Sequence, residues 1–504
     1  MLDIKQRENK IKERRKQTPR REFVKEIASW YGFVFRKHNQ NVTTYSDKVD
    51  FPLYPTAEYE KIRMNFIQSG RAYNSASSLF DQIKDLRKEI GVLSPHLAWS
   101  TENALYSDAI WDAKNVYLSY QSWGDSSNIL YSFYVKINSH NVVNSVMVRD
   151  NSEIIFQSAW IIKSYKVFYS KYIVSSDNVW FSDNLISCSE CLFCDNLTNQ
   201  KFCIYNKQLS QTDYLQEKNR ILSQKQFFQV WNQKISHSGH NVWSSDVEGS
   251  FVVNAQSVTS AIKAYQVKNG HNIIFFGWAE PDTNIVDCCV WWSPITTDNY
   301  GCFGTGGGSN VYMSAYSYRS SNQYYCMFCE SCNYCLWCIG LKNQKFCILN
   351  KQYTKEERFE LANKIFEQMD KDWTLWQFFP GSMNPFYFND TIAYLIDDTF
   401  TKEEVTKEWY LRRDEEIKVD VPVWAEVIGT EDFGTYQWFE PTKDGSGTQW
   451  EWKIDPEILK KVIKDDKGNY YKIVPMELEF LQKHGLPLPE IHWLERIKLW
   501  FKFK

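Results

Sequence analysis

Five cysteines stand at every third position from Cys326 to Cys338: Cys326, Cys329, Cys332, Cys335 and Cys338. A thiolate is a nucleophile and a soft metal ligand, and C-x-x-C pairs suit zinc or an iron–sulfur cluster. Cys188, Cys191 and Cys194 repeat the step. The series does not stop where the thiols stop. Backwards from Cys326 it runs through Gln323, Ser320, Ser317, Ser314 and Val311. A ligand set has no reason to be periodic, whereas a stacked interior does. Free cysteine packs as a small buried hydrophobe. Packing is therefore the reading adopted for these thiols. Zinc or iron–sulfur held by Cys326, Cys329, Cys332, Cys335 and Cys338 is the minor alternative, and disulfides are the third.

Other residues with chemical potential are isolated. Asp150, Asp177 and Asp183 could line a groove, as in solenoid polysaccharide enzymes, but nothing in the sequence pairs them. The run Gly304-Thr305-Gly306-Gly307-Gly308-Ser309 lacks the Lys-Ser/Thr of a phosphate loop and reads as a tight turn. His237 and His240 form a lone H-x-x-H. Neither G-x-S-x-G nor H-E-x-x-H occurs, and no catalytic constellation is visible.

The best functional hint is the basic N-terminal arm. Arg14, Arg15, Lys16, Arg20 and Arg21 are its densest part, and Trp30, Tyr31, Phe33 and Phe35 follow. Cations can neutralise phosphates and aromatics can stack on the bases of a single strand, which fits contact with RNA or DNA. A solvated helix followed by a small aromatic core is the competing reading.

The elements that carry these residues follow from the beat. Ser152, Ser158, Ser164, Ser170, Ser176, Ser182, Cys188 and Cys194 recur every six residues, with Ile155, Ile161, Val167, Ile173, Val179, Leu185 and Cys191 halfway between. A helix would scatter these positions around its surface, and one strand is too short to hold them. Coils whose length is a multiple of six, about 12 or 18 residues, stack like on like. The fold expected is mainly β with flanking helices: a β-solenoid in two duplicated modules built on a six-residue repeat, each followed by a capping helix. Single-residue slips in the upstream ladder, between the runs from Ser107 and from Ser139, imply bulges or insertions.

The duplication is explicit. NQKFCIYNKQ at 199–208 and NQKFCILNKQ at 343–352 match at nine of ten positions, at an offset of 144. Thr354 and Glu357 form a capping box for the second helix, and Ser210 and Asp213 a weaker cap for the first. Each helix is expected to lie as a lid over otherwise unpaired strand edges. The implied divisions are 1–98 (basic, helical or irregular), 99–205 (first module), 206–242 (linker and cap), 243–350 (second module), 351–372 (capping helix) and 373–504 (an α+β region with a basic amphipathic tail).

Net charge is −3, so no global polyelectrolyte attraction is implied. Aromatics make up 16% of the chain, more than a slender bore can hold. Phe156, Trp160, Tyr165, Phe168, Tyr169, Tyr172, Trp180 and Phe181 fall off the inward register and should decorate outer faces, to pack against flanking domains and the other module or to form a binding or self-association surface. No run of apolar residues is long enough for a transmembrane helix. The start of the chain does not read as a signal peptide, and clustered thiols fit a reducing, cytoplasmic setting.

The combined pattern resembles a family of cysteine-ladder proteins from candidate-phyla-radiation bacteria. The likeness is carried by CESCNYCLWCIGLKNQKFCILNKQYTKEE (329–357), SCSECLFCDNLTNQKFCIYNKQ (187–208), PGSMNPFYFND (380–390) and PMELEFLQKHGLPLPEIHWLER (475–496). It covers most of the chain. Relatives carry zinc-ribbon-like cysteine pairs near both ends. Here no cysteine precedes Cys188 or follows Cys347, so no terminal ribbon is expected. The resemblance implies the fold and no activity. The function expected is a non-catalytic binding or scaffold protein with an aromatic-rich solenoid surface, meeting RNA, a ribonucleoprotein or another protein through basic ends. A polysaccharide-binding or polysaccharide-active β-helix and a self-assembling structural protein are the alternatives.

Overall fold

A computed structural model describes the chain apart from residues 1, 39–40, 99, 225–244, 250–251, 254–255, 262–263, 266, 269–281, 290–296, 415–420, 443–449 and 502–504. The described residues fall into two compact units. One contains residues 1–96 and 237–413, and the other residues 97–236 and 414–502. Each holds one solenoid module.

In the second of these units the coil repeat is 12 residues. Ala159 pairs in parallel with Lys171 and Ile161 with Ile173. Earlier coils carry one residue more, since Val146 pairs with Ala159. A register shift between Trp111 and Ala113 marks another slip. The ladder slips in the sequence are these insertions.

The physical basis of the three-residue step is a backbone bend. Gln157, Trp160, Lys163, Lys166 and Tyr169 all have left-handed φ, and each immediately precedes an inward residue. Side chains other than glycine and asparagine adopt this conformation at a cost of roughly 1–2 kcal/mol each. Asparagine tolerates it and gains a second benefit here. Asn103 donates to Asn115, Asn115 to Asn128 and Asn128 to Asn141 through stacked side-chain amides. The glycine-rich run follows the same rule: Gly301, Gly304 and Gly307 supply consecutive left-handed corners. At Gly308 a Cβ would fall 1.9 Å from the carbonyl oxygen of Ser320, so no larger residue fits.

Inward positions are buried through most of the described coils. Ile155, Ile161, Val167, Ile173, Val179 and Leu185 fill the bore with Cys188, Cys191, Cys194 and Cys203. The serines link coil to coil. Ser158 Oγ donates to the Phe156 carbonyl at 2.8 Å and accepts the Ser170 amide at 3.1 Å. The same accepting contact runs from Ser107 through Ser119, Ser132, Ser145, Ser158, Ser170 and Ser182 to the amide of Cys194. Ser152, Ser164 and Ser176 form a second column that ends on the Cys188 amide.

The other unit repeats this plan. Thr297–Phe303, Ser309–Tyr312 and Ser321–Tyr324 pair in parallel, and bridges at the same spacing continue to Leu336↔Ile348. Upstream, the backbones of Asp282–Cys289 and Thr297–Phe303 pair in parallel.

The outer aromatics are mostly covered. Tyr169, Phe181, Phe193 and Tyr205 form one stacked column with ring centroids 4.8, 4.8 and 5.2 Å apart. Phe156, Phe168, Tyr169, Trp180 and Phe181 are buried in one cluster with Tyr214, Leu478, Phe480 and Leu481. Of the eight aromatics singled out in the sequence, Tyr165 is exposed. The helix after each module does more than meet a strand edge. In Gln211–Leu222, Lys218 reaches Asn178 and Glu190 on two successive coils. In Lys355–Lys371, Arg358 donates to the Tyr334 carbonyl while Phe366 packs on Tyr324 one coil earlier. Both helices therefore run back along the coil sides.

The C-terminal tail forms the short helix Trp493–Lys498, and Leu494, Ile497, Trp500 and Phe501 are buried. Thr401 caps the short helix Lys402–Lys407. Gln437–Pro441 and Trp450–Ile454 pair as an antiparallel hairpin, and the residues between them lie outside the described residues. No helix among the described residues is long and apolar enough to cross a membrane.

Candidate functional site

The N-terminal arm is a helix, Leu2–Arg15, docked on its own unit. Arg7 donates to the Asn363 carbonyl at 3.1 Å, and Glu8 accepts from the Tyr324 hydroxyl. Lys12 lies 3.6 Å from Asp298 and over the Tyr300 ring. The arm is thus stitched to the side of the coils and to the helix Lys355–Lys371.

This docking consumes much of the basic cluster. Arg15 is buried and bound to Glu26 at 2.6 Å. Arg21 lies between Asp397 and Glu404, at 2.5 and 2.7 Å, over the Phe400 ring. Lys16 is exposed, 3.9 Å from Glu13. Arg20 is exposed, and Asp397 acts on it electrostatically. Arg14 is exposed and has no ion-pair partner among the described residues. The structure therefore does not bring the five cations together as one free patch. Trp30, Tyr31 and Phe33 are buried, with Trp30 packed on Phe378 and Phe379, so these rings serve as core.

Docking creates a groove of about 740 Å³ that the sequence reading did not anticipate. Gln6, Asn9, Lys10, Glu13, Arg14 and Gln17 line it from the helix side, and Asp370, Lys371, Trp373 and Trp376 from the other. The helix Lys355–Lys371 ends at Asp372, and Trp373 follows in a left-handed turn. Leu375 and Phe378 anchor the segment in the core. Trp373 is thrown outward and is 71% exposed. Its ring stands perpendicular to Trp376, with centroids 5.6 Å apart. Exposed tryptophan is uncommon because the side chain has so much apolar area to bury. The available signal was D-W-T-L-W-Q, two tryptophans in a polar stretch just beyond a helix end.

The remaining candidates are structural where described. Asp150 pairs with Arg149 and Asp183 with Lys171, while Asp177 accepts from Ser189 on the next coil. Each acid is engaged locally, and the three do not form a catalytic pair. His237 and His240 lie outside the described residues.

Cys326, Cys329, Cys332, Cys335 and Cys338 are all buried. Their thiols donate to backbone carbonyls as the ladder serines do: Cys338 to Leu336 at 3.4 Å, Cys332 to Glu330 at 3.3 Å. Burial and neighbouring thiols push Cys329 and Cys338 well above the ordinary thiol range, while hydrogen bonds from those two thiols hold Cys326 well below it against the cost of burial. Among the described residues no three His, Cys, Asp or Glu side chains converge as a ligand set. The thiols as placed stack in the ladder as the serines do.

No protein-family model matches the chain, and neither a curated protein nor a solved structure matches it.

Proposed function

We propose that this is a non-catalytic binding protein whose coils serve as a rigid scaffold for the Trp373–Trp376 groove. The observation that carries this reading is the exposure of Trp373 beside Arg14 and three side-chain amides, on a segment fixed by the buried Leu375. Aromatic rings with convergent polar groups on rigid elements are the ordinary makings of a ligand site. The ladders supply the rigidity and leave recognition to the outside. The resemblance to cysteine-ladder proteins supports the scaffold part alone.

Ring-bearing polymers are the ligand class that such a groove suits. RNA is supported by the exposed Arg14, Lys16 and Arg20, and polysaccharide by the mixed amides and carboxylates. The test is binding of homopolymeric RNA and of soluble glycans to the full chain and to Trp373→Ala. Binding of either class that weakens in the variant is expected. The absence of Trp373-dependent binding in both classes would refute the proposal.

A further inference from the structure

We infer that the groove takes a pyranose of a β-linked glycan rather than the bases of a nucleic acid, an inference that rests on the binding role just proposed. Three features of the site carry it.

Ring geometry is the first. Trp373 and Trp376 meet at 87°, so they present a corner, one ring face beside one ring edge. Successive bases of a single strand stack on platforms that follow the strand, and perpendicular rings cannot take two neighbouring bases that way. A corner suits one compact ring. A β-linked glucose-type pyranose has equatorial hydroxyls, so its C–H bonds form a flat apolar face that can lie on exposed indole while its rim points sideways.

Hydrogen-bonding capacity is the second. Gln6, Asn9 and Gln17 line one wall, and each amide both donates and accepts. Sugar hydroxyls also do both. Glu13 and Asp370 add acceptors, and Arg14 adds donors. Phosphate oxygens only accept, and the Glu13 carboxylate would repel them.

Charge is the third. Lys10 is bound to Asp370, and Lys371 lies 3.1 Å from Glu367. That leaves Arg14 as the one groove-lining cation without an ion-pair partner among the described residues. A polyanion needs several such cations to gain affinity from counterion release. A neutral glycan needs none.

The experiment is calorimetric titration of the full chain with cellohexaose, chitohexaose and a short oligouridylate, at about 50 mM and about 200 mM salt. At least one hexaose is expected to bind with an affinity that hardly changes with salt. Trp373→Ala should weaken that binding by about tenfold or more, as removal of a tryptophan anchor does. Gln17→Ala should weaken it less. Trp409→Ala, which alters a comparably exposed ring outside the groove, should leave it unchanged. Circular dichroism would confirm that the variants fold. Salt-steep binding of the oligouridylate alone, lost in Trp373→Ala, would overturn the glycan inference and keep the groove as the binding site. No Trp373-dependent binding of any probe would overturn both. Hexaose binding indifferent to Trp373→Ala would overturn this inference by placing the sugar elsewhere.

Discussion

The amide of Ser170 is held by the hydroxyl of Ser158 on the preceding coil, at 3.1 Å. One side chain thereby satisfies a backbone donor that the parallel ladder leaves over at each inward corner. The contact recurs along the column, so serine here does what sheet hydrogen bonds do elsewhere. A buried donor without a partner costs about 1–3 kcal/mol.

Ser170→Ala should therefore destabilise the protein by about that amount, because the Ser182 amide loses its acceptor. Ser170→Cys should cost less, since thiols already stand in the same columns at Cys188 and Cys194. Denaturant unfolding of the two variants gives the comparison. Equal stability of Ser170→Ala and the unaltered protein would remove the ladder's energetic role.

The left-handed corners make a separate prediction. Ser187 is exposed with φ 55°. Asparagine, which tolerates this conformation, should stabilise the fold by up to about 1 kcal/mol, and valine should destabilise it by a similar amount. Thermal melts of Ser187→Asn and Ser187→Val would show the two shifts, and a reversed order would contradict the corner geometry.

The helix Lys355–Lys371 is secured by its capping box. Thr354 Oγ1 accepts the Glu357 amide at 3.2 Å while Glu357 accepts the Thr354 amide at 2.9 Å. Thr354→Ala should cost about 1 kcal/mol. Hydrogen exchange should show the loss confined to the first turn, and unchanged exchange there would sink the prediction.

His492 gives the protein a pH dependence. It is 8% exposed, and its Nδ1 accepts the Leu494 amide at 3.2 Å, capping the last helix. Burial pulls it down to about 4, whereas an unfolded histidine titrates near 6.5. Above about pH 6.5 neither state carries the proton and the cap is intact. As pH falls from there towards 4 the unfolded state binds the proton first, so stability is lost across that window, on the order of 3 kcal/mol in full. His492→Asn keeps a neutral cap and should remove its share of this loss, leaving the shares of His96 and His484, which burial also pulls down to about 4. An equally steep acid decline in the variant would assign it elsewhere.

The sequence revealed the coils because their inward positions obey one rule: a small or branched side chain every third residue, whichever of Ser, Cys, Ile or Val stands there. Ser152 through Cys194 could be placed inward without coordinates. The outer positions obey no such rule. Phe156 and Trp180 read as outer-face rings to be covered by flanking segments, and they are, but that the cover is Phe480 and Tyr214 is announced by no local pattern. The same holds for Arg15 and Arg21. Their charge was visible, and their partners Glu26 and Glu404 were not. Trp373 and Trp376 stand out in the sequence only as two tryptophans in a polar stretch, because the groove exists only once the N-terminal helix docks.

Alkylation of the native, reduced protein, mapped by mass spectrometry, tests most directly whether the ladders are interior packing and the working surface lies outside them. Cys326, Cys329, Cys332, Cys335 and Cys338 should stay unmodified until the protein unfolds, and a metal chelator should not change that protection. Rapid labelling of these five thiols in the folded state, or their exposure on chelation, would contradict the account.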